Sequence, residues 1–197
     1  IGNSAFRECN ALTSTNFLNL VTTIGNDAFR NCSGLTTATL PNSVTSIGNN
    51  VFSDCYAHLL SATLPNSITS MGESVFSGCS LLTSATLPNS ITTISTSTFY
   101  DCGALSSVTI PDSVTSIGGS AFRGCTSLTT LTIPNLVTSI GSGAFQFCSN
   151  LTSISLPNSV TSIGASAFKY SNLTSISIPN LVTSIGDETF YQCFQLS

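Results

Sequence analysis

The most reactive chemistry in this chain belongs to its eight cysteines, and their spacing decides what they can do. They stand at Cys9, Cys32, Cys55, Cys79, Cys102, Cys125, Cys148 and Cys193. Zinc sites use paired Cys-x-x-Cys steps and small disulfide frameworks use irregular spacing; neither pattern is present. Side chains on successive rungs of a stacked fold run parallel at about 4.8 Å, whereas a disulfide needs β-carbons converging to about 3.8 Å. The cysteines therefore read as buried free thiols that pack as small hydrophobes. His58, the single histidine, has no second imidazole and no cysteine outside that column to work with, which removes metal and general-base roles. It lies in Tyr56-Ala57-His58, read as a bulged surface loop. With no base to activate a hydroxyl, none of the 35 Ser and 28 Thr stands out as a nucleophile. The expectation is a protein that is not an enzyme and uses no cofactor or metal.

Charge narrows the function further. Only 4 Lys and Arg stand against 8 Asp and Glu, a net charge of −4 over 197 residues. Nucleic acid and anionic membrane surfaces need a basic footprint, and this chain has none. Seven of the acids (Glu8, Asp27, Asp54, Glu73, Asp101, Asp187, Glu188) and Asp112 read as solvated rim charges. An apolar content of 41% is enough for a packed core, and no run of about eighteen apolar residues is present to insert in a membrane.

These residues are placed by a repeat. An Ile-Gly step or a close variant falls at Ile1, Ile24, Ile47, Met71, Ile94, Ile117, Ile140, Ile163 and Ile185, a period of 23 with single-residue slips. The aligned copies read IGxSAFxxCxxLTSVTIPNSVTS, with apolar residues at repeat positions 1, 5, 6, 9, 12, 15, 17 and 21. Neither a 3.6 nor a 2.0 period runs through a whole copy, so each is one mixed coil of a β-rich solenoid. In Leu105-Ser-Ser-Val-Thr-Ile-Pro111 the alternation of Val108 and Ile110 with Ser107 and Thr109 predicts a short strand. Pro111 and its equivalents Pro41, Pro65, Pro88, Pro134, Pro157 and Pro179 should end it, because Pro has no amide for a ladder. Cap-forming residues at Ser4, Asp27, Asn50, Ser74, Ser97, Ser120 and Ser166 predict N-caps of a short helical turn carrying the Ala-Phe-x-x-Cys string; Gly143 and Glu188 depart from this. The column Phe6, Phe29, Phe52, Phe76, Phe99, Phe122, Phe145, Phe168 and Phe190 is expected to fill the core. In the copy that is one residue short between Phe168 and Leu173, Tyr170 or Ser171 stands in for Cys.

The strings IGGSAFRGCTSLTTLTIPNLVTSIG (117–141) and IGASAFKYSNLTSISIPNLVTSIG (163–186) resemble the BspA-like class of leucine-rich repeats, over nearly the entire chain. The resemblance implies a leucine-rich-repeat arc with a parallel sheet on the concave side and short helical turns on the convex side. It also implies an extracellular or cell-surface protein of bacteria or protists engaged in adhesion and protein binding. The chain is read as a single solenoid of about eight and a half repeats over residues 1–197, an excerpt of a longer protein.

The strand face is where a ligand is expected. Its outward columns read Thr37, Ser61, Ser84, Ser107, Thr130, Ser153 and Thr39, Thr63, Thr86, Thr109, Thr132, Ser155, an uncharged grid of hydroxyls. Such a grid suits a protein or glycan ligand held by many weak hydrogen bonds. It also suits ordered water, as in ice-binding solenoids, and open solenoid ends permit end-to-end self-association into filaments. A second hydroxyl row is formed by pairs such as Thr45-Ser46, Thr115-Ser116 and Thr161-Ser162, with Leu20, Leu136 and Leu181 replacing a nearby Ser. Asn31, Asn150 and Asn172 begin glycosylation sequons.

Overall fold

The computed structural model describes residues 1–16 and 19–197. Its strands are β1 (Thr23–Ile24), β2 (Thr37–Thr39), β3 (Ser46–Ile47), β4 (Ser61–Thr63), β5 (Ser70–Met71), β6 (Ser84–Thr86), β7 (Thr93–Ile94), β8 (Ser107–Val108), β9 (Ser116–Ile117), β10 (Thr130–Thr132), β11 (Ser139–Ile140), β12 (Ser153–Ser155) and β13 (Ser162–Ile163). All pair in parallel with the equivalent strand of the adjacent copy, which makes the fold a parallel solenoid. Even-numbered strands form the strand face, where Ala38, Ala62, Ala85, Leu131 and Ile154 point inward between exposed hydroxyls. Each such strand stops before its Pro. The chain then turns, with the Val44 amide donating to the Pro41 carbonyl at 3.0 Å and Val114 to Pro111 likewise. Odd-numbered strands make a second parallel ladder through the isoleucine column, which runs on through a bridge from Ile163 to Ile185. Two residues are too few for an alternation to betray a strand in sequence.

The predicted helical turn is not formed; among the described residues there is no helix. The Ala-Phe-x-x-Cys string is a chain of turns, and the expected caps are left-handed residues. Ser4, Asp27, Asn50, Ser74, Ser97, Ser120 and Ser166 have φ of 54° to 56°, and Gly143 and Glu188 share the conformation at 64° and 55°. An N-cap residue needs β-region backbone instead. A second left-handed column follows four positions on: Glu8, Asn31, Asp54, Gly78, Asp101, Gly124, Phe147, Tyr170 and Gln192. These reversals turn amides along the solenoid axis. Ser120, Phe122 and Gly124 donate to the carbonyls of Ser142, Ala144 and Gln146 in the next copy at 2.8 to 2.9 Å. The same three bonds recur at every junction from Ser4–Asn26 to Tyr170–Tyr191, so the turn face is a ladder in its own right and no helix is needed to satisfy it.

The core lies between these faces. Nine phenylalanine rings, Phe6 through Phe190, stack with centroids 5.2 to 5.7 Å apart and planes within 19° of parallel. Beside them the thiols of Cys32, Cys55, Cys79, Cys102, Cys125, Cys148 and Cys193 each donate to the carbonyl of the phenylalanine one copy back, at 3.0 to 3.3 Å. Cysteine is thus a donor as well as a small hydrophobe. Ser171, not Tyr170, takes the thiol's place in the short copy, buried and 3.3 Å from the Cys193 sulfur.

Both strand ladders break once. The odd ladder divides into β1-β3-β5 and β7-β9-β11-β13, and the even ladder into β2-β4-β6-β8 and β10-β12. The first break has a clear cause. Glycine follows the isoleucine column because a Cβ there would meet the previous copy's backbone: at Gly118 it would lie 2.6 Å from the Thr96 nitrogen, and at Gly141 2.5 Å from the Gly119 nitrogen. Ser95 carries the Cβ that this column excludes. Where Gly48, Gly72 and Gly118 donate their amides to the preceding isoleucine carbonyl at 2.8 to 3.0 Å, Ser95 instead reaches the Met71 carbonyl with its hydroxyl at 3.2 Å. The second break falls where the inward column changes from Ala38, Ala62 and Ala85 through Val108 to Leu131, a step in side-chain volume that close packing transmits to the backbone.

Candidate functional site

The strand face places the hydroxyl columns in rows. Thr37 is in register with Ser61, Ser84 and Ser107, and Thr39 with Thr63 and Thr86. Beyond the break, Thr130 pairs with Ser153 and Thr132 with Ser155. The grid is therefore two blocks where one continuous array was expected, and Thr109 belongs to neither strand block. It stands between two hollows. One, of about 370 Å³, lies across the break between Ser107–Ile110 and Thr130–Thr132, with Asp112 at its edge. The other, of about 270 Å³, is lined by Thr86, Leu87, Asn89 and Thr109.

Hydroxyl bonding separates this face from the rest of the molecule. None of the twelve hydroxyls at Thr37, Thr39, Ser61, Thr63, Ser84, Thr86, Ser107, Thr109, Thr130, Thr132, Ser153 and Ser155 has a hydrogen-bond partner within the described residues, and all are exposed except half-buried Ser61. The adjacent column is different: Thr36, Thr83, Ser106, Thr152 and Thr174 donate to carbonyls one copy back at 2.9 to 3.5 Å. Ser43, Ser67, Ser113 and Ser159 bridge to carbonyls of the valine and isoleucine column at 2.6 to 2.8 Å. In the second hydroxyl row the threonines are engaged as well, through Thr45, Thr115, Thr138 and Thr161, and of the serines beside them Ser116 meets the Thr93 hydroxyl at 3.1 Å. Several serine and threonine columns thus satisfy the backbone, whereas the strand face keeps its donors and acceptors for an outside partner, as do Ser46, Ser70, Ser139 and Ser162 on the odd-numbered strands. Composition could not reveal this, because the residue types are identical in bonded and unbonded columns.

The other candidates fall outside any cluster. The His58 imidazole is exposed and its Nδ1 lies 2.8 Å from the Ser33 carbonyl oxygen. Burial pushes the Cys32 thiol up to about 11 and those of Cys55 and Cys148 up to about 12, and holds Cys79, Cys102 and Cys125 well above the usual thiol range. At neutral pH these sulfurs are protonated donors and poor nucleophiles. Of the rim acids, Asp27 and Asp54 pair with Arg30 at 3.3 and 3.1 Å, and Glu188 pairs with Lys169 at 2.7 Å. No helix among the described residues is long and apolar enough to cross a membrane.

Comparison with known proteins agrees with this architecture. The family model for the BspA type leucine-rich repeat region matches residues 1–128 and 92–197, in six copies. A leucine-rich cell surface protein from Faecalibacterium prausnitzii is 36% identical with a TM-score of 0.75, over 82% of this chain and 46% of that one. The leucine-rich repeat protein of T. pallidum is 31% identical with a TM-score of 0.77, over 82% of this chain and 78% of that one. A leucine-rich repeat protein from Bacteroides ovatus is 27% identical with a TM-score of 0.63, covering 92% of this chain and 58% of its own. The chain thus spans about half the length of the Faecalibacterium protein. No curated protein matches it.

Proposed function

The chain belongs to the BspA-type leucine-rich-repeat family, and from that premise we propose that it is a non-catalytic adhesive binding domain, displayed on a cell surface or secreted, whose contact face is the hydroxyl grid of the even-numbered strands. One observation carries the reading: twelve outward hydroxyls are left without internal partners while neighbouring hydroxyl columns are bonded to the backbone. An uncharged array of this kind favours a protein or glycan bound through many weak hydrogen bonds, with affinity built by repetition. The cell-surface description of the Faecalibacterium relative supports the location. The interruption at Thr109 argues against ice as the ligand, since lattice matching needs an unbroken grid.

The reading is tested by replacing Thr39, Thr63 and Thr86 together with valine, which keeps the β-branched shape and removes three hydroxyls from one row. At about 1 kcal/mol for each hydrogen bond lost, binding to matrix proteins or glycans captured by the intact domain should weaken on the order of 100-fold. Capture by an array of such ligands that the triple variant leaves undiminished would remove the strand face from consideration.

A further inference from the structure

Asp112 stands apart from every other charged side chain of the protein. Of the 4 basic and 8 acidic residues, all but Asp112 lie in the turn segments between the isoleucine column and the cysteine column. Asp112 follows the Pro that ends a strand of the contact face, where the other copies hold Asn42, Asn66, Asn89, Asn135, Asn158 and Asn180. Asparagine serves a turn as well as aspartate does, so the turn does not require the charge. The side chain is exposed, and no basic group among the described residues pairs with it.

This carboxylate lies where the even ladder is interrupted. The Ser106 amide donates to the Thr83 carbonyl and that of Thr152 to Thr129, each at 3.1 Å, but the corresponding bond from Thr129 to Ser106 is not made. Leu40 and Leu64 likewise donate to Thr63 and Thr86, and Ile110 has no such bond to Thr132. The two coils part here and uncover the floor between them: Val108 is half-buried, whereas Ala38, Ala62, Ala85, Leu131 and Ile154 in the same column are buried. The result is the hollow of about 370 Å³ between Ser107–Ile110 and Thr130–Thr132, with complete coils on both sides of it. Val108 gives it an apolar base, Thr109, Thr130 and Thr132 give it hydroxyl walls, and Asp112 is the one charged residue that lines it.

We propose that this hollow receives a lysine side chain of a protein partner. The proposal rests on the strand face being the contact surface and gives the chemistry of what that surface holds. Lysine has an aliphatic stem that buries along apolar surface and a cationic head that stays at the rim. Val108 matches the stem and Asp112 the head. The ammonium carries three donors and no acceptor, which the carboxylate and the unbonded threonine hydroxyls around it can accept. A hard metal ion would need more oxygen ligands than one carboxylate anchors. A neutral or anionic ligand would leave Asp112 without a counter-charge, and the asparagine of the other copies would hold it better.

The test is titration of the intact, isotope-labelled chain with blocked hexalysine at low millimolar concentration, followed by amide NMR shifts, with blocked hexaglutamine as the uncharged control. Hexalysine should move the amides of Val108, Thr109, Asp112 and Thr130, and hexaglutamine should not. Asp112→Asn restores the residue of the other six copies, so this variant should melt as the parent does. It should bind hexalysine about tenfold more weakly, the loss of a hydrogen bond to a charged group, and with less salt dependence. Val108→Leu, which brings the base to the size of Leu131, should weaken binding too, whereas Glu73→Gln removes an equal charge from the turn side and should leave it unchanged. The valine triple variant, altered in other copies, should also bind hexalysine as the parent does, so the lysine site and the hydroxyl rows fail or stand separately. Absence of hexalysine binding, equal binding of hexaglutamine, binding that survives Asp112→Asn, or an equal loss with Glu73→Gln would each overturn the site.

Discussion

The turn face and the two strand ladders are built from the same repeat, yet one runs unbroken along the described chain and the others each split. At every junction on the turn side three amides donate along the axis, over a phenylalanine stack whose rings never exceed 5.7 Å in separation. On the strand side, one Cβ at Ser95 coincides with the break between β5 and β7, and one increase in inward volume at Val108 and Leu131 with the break between β8 and β10. The difference is one of composition by column. The turn side buries invariant Phe and near-invariant Cys, so each junction repeats the last. The even ladder packs an inward column that grows from alanine to leucine, and the odd ladder carries Ser95 in a column otherwise of glycine; a close-packed interior passes such changes to the backbone.

Alkaline titration is expected to break the comparison most severely, because it acts on the turn side at many copies together. Burial raises the folded thiols above the ordinary thiol value of 9.0, to about 11 at Cys32 and about 12 at Cys55 and Cys148. A thiol that loses its proton more readily unfolded than folded contributes stability below pH 9.0 that is lost as pH rises through the folded value. The melting temperature should therefore hold up to about pH 9 and fall steeply from there toward pH 12; circular dichroism melts would reveal a flat profile if the thiols were not buried in this way. Among single substitutions, Phe122→Ala should cost the most, about 3–5 kcal/mol by leaving a cavity in the ring stack, measured by urea denaturation. A loss below about 1 kcal/mol would mean that the stack is not what holds the coils together.

Smaller changes sharpen the contrast from the strand side. Gly118→Ala places a Cβ 2.6 Å from the Thr96 nitrogen and should open a second gap in the odd ladder at about 1–3 kcal/mol, seen as faster amide exchange at Gly118 with exchange at Phe122 unaffected. The reverse change, Ser95→Gly, should join β5 to β7 and slow exchange of the residue 95 amide. Its net gain would be about 1 kcal/mol or less, because the restored hydrogen bond is partly offset by the backbone entropy of glycine. If Ser95→Gly left exchange unchanged, the Cβ would not be the cause of that break.

Much of this was legible in the residues alone. The period of 23, the Phe and Cys columns and the short strands before each Pro follow from spacing and alternation. The helical turn was misread for a definite reason: Ser, Asp and Asn are favoured both as N-caps and in left-handed backbone. Gly143 was the discriminating residue, since it broke the cap pattern but is at ease at positive φ. Ser95 was visible as a departure from glycine, but its consequence depends on how near the next copy's backbone comes.

Sequence by itself determined that side chains of one kind would recur at one place in each copy, because a fixed period fixes which residues share a column. Tertiary structure decided which hydroxyl columns would bond to the preceding coil and which would remain free, and whether Phe147 and Tyr170 would face the core or solvent. Those outcomes depend on the distance and direction between coils that are 23 residues apart along the chain but in contact in space, and no single copy contains that information.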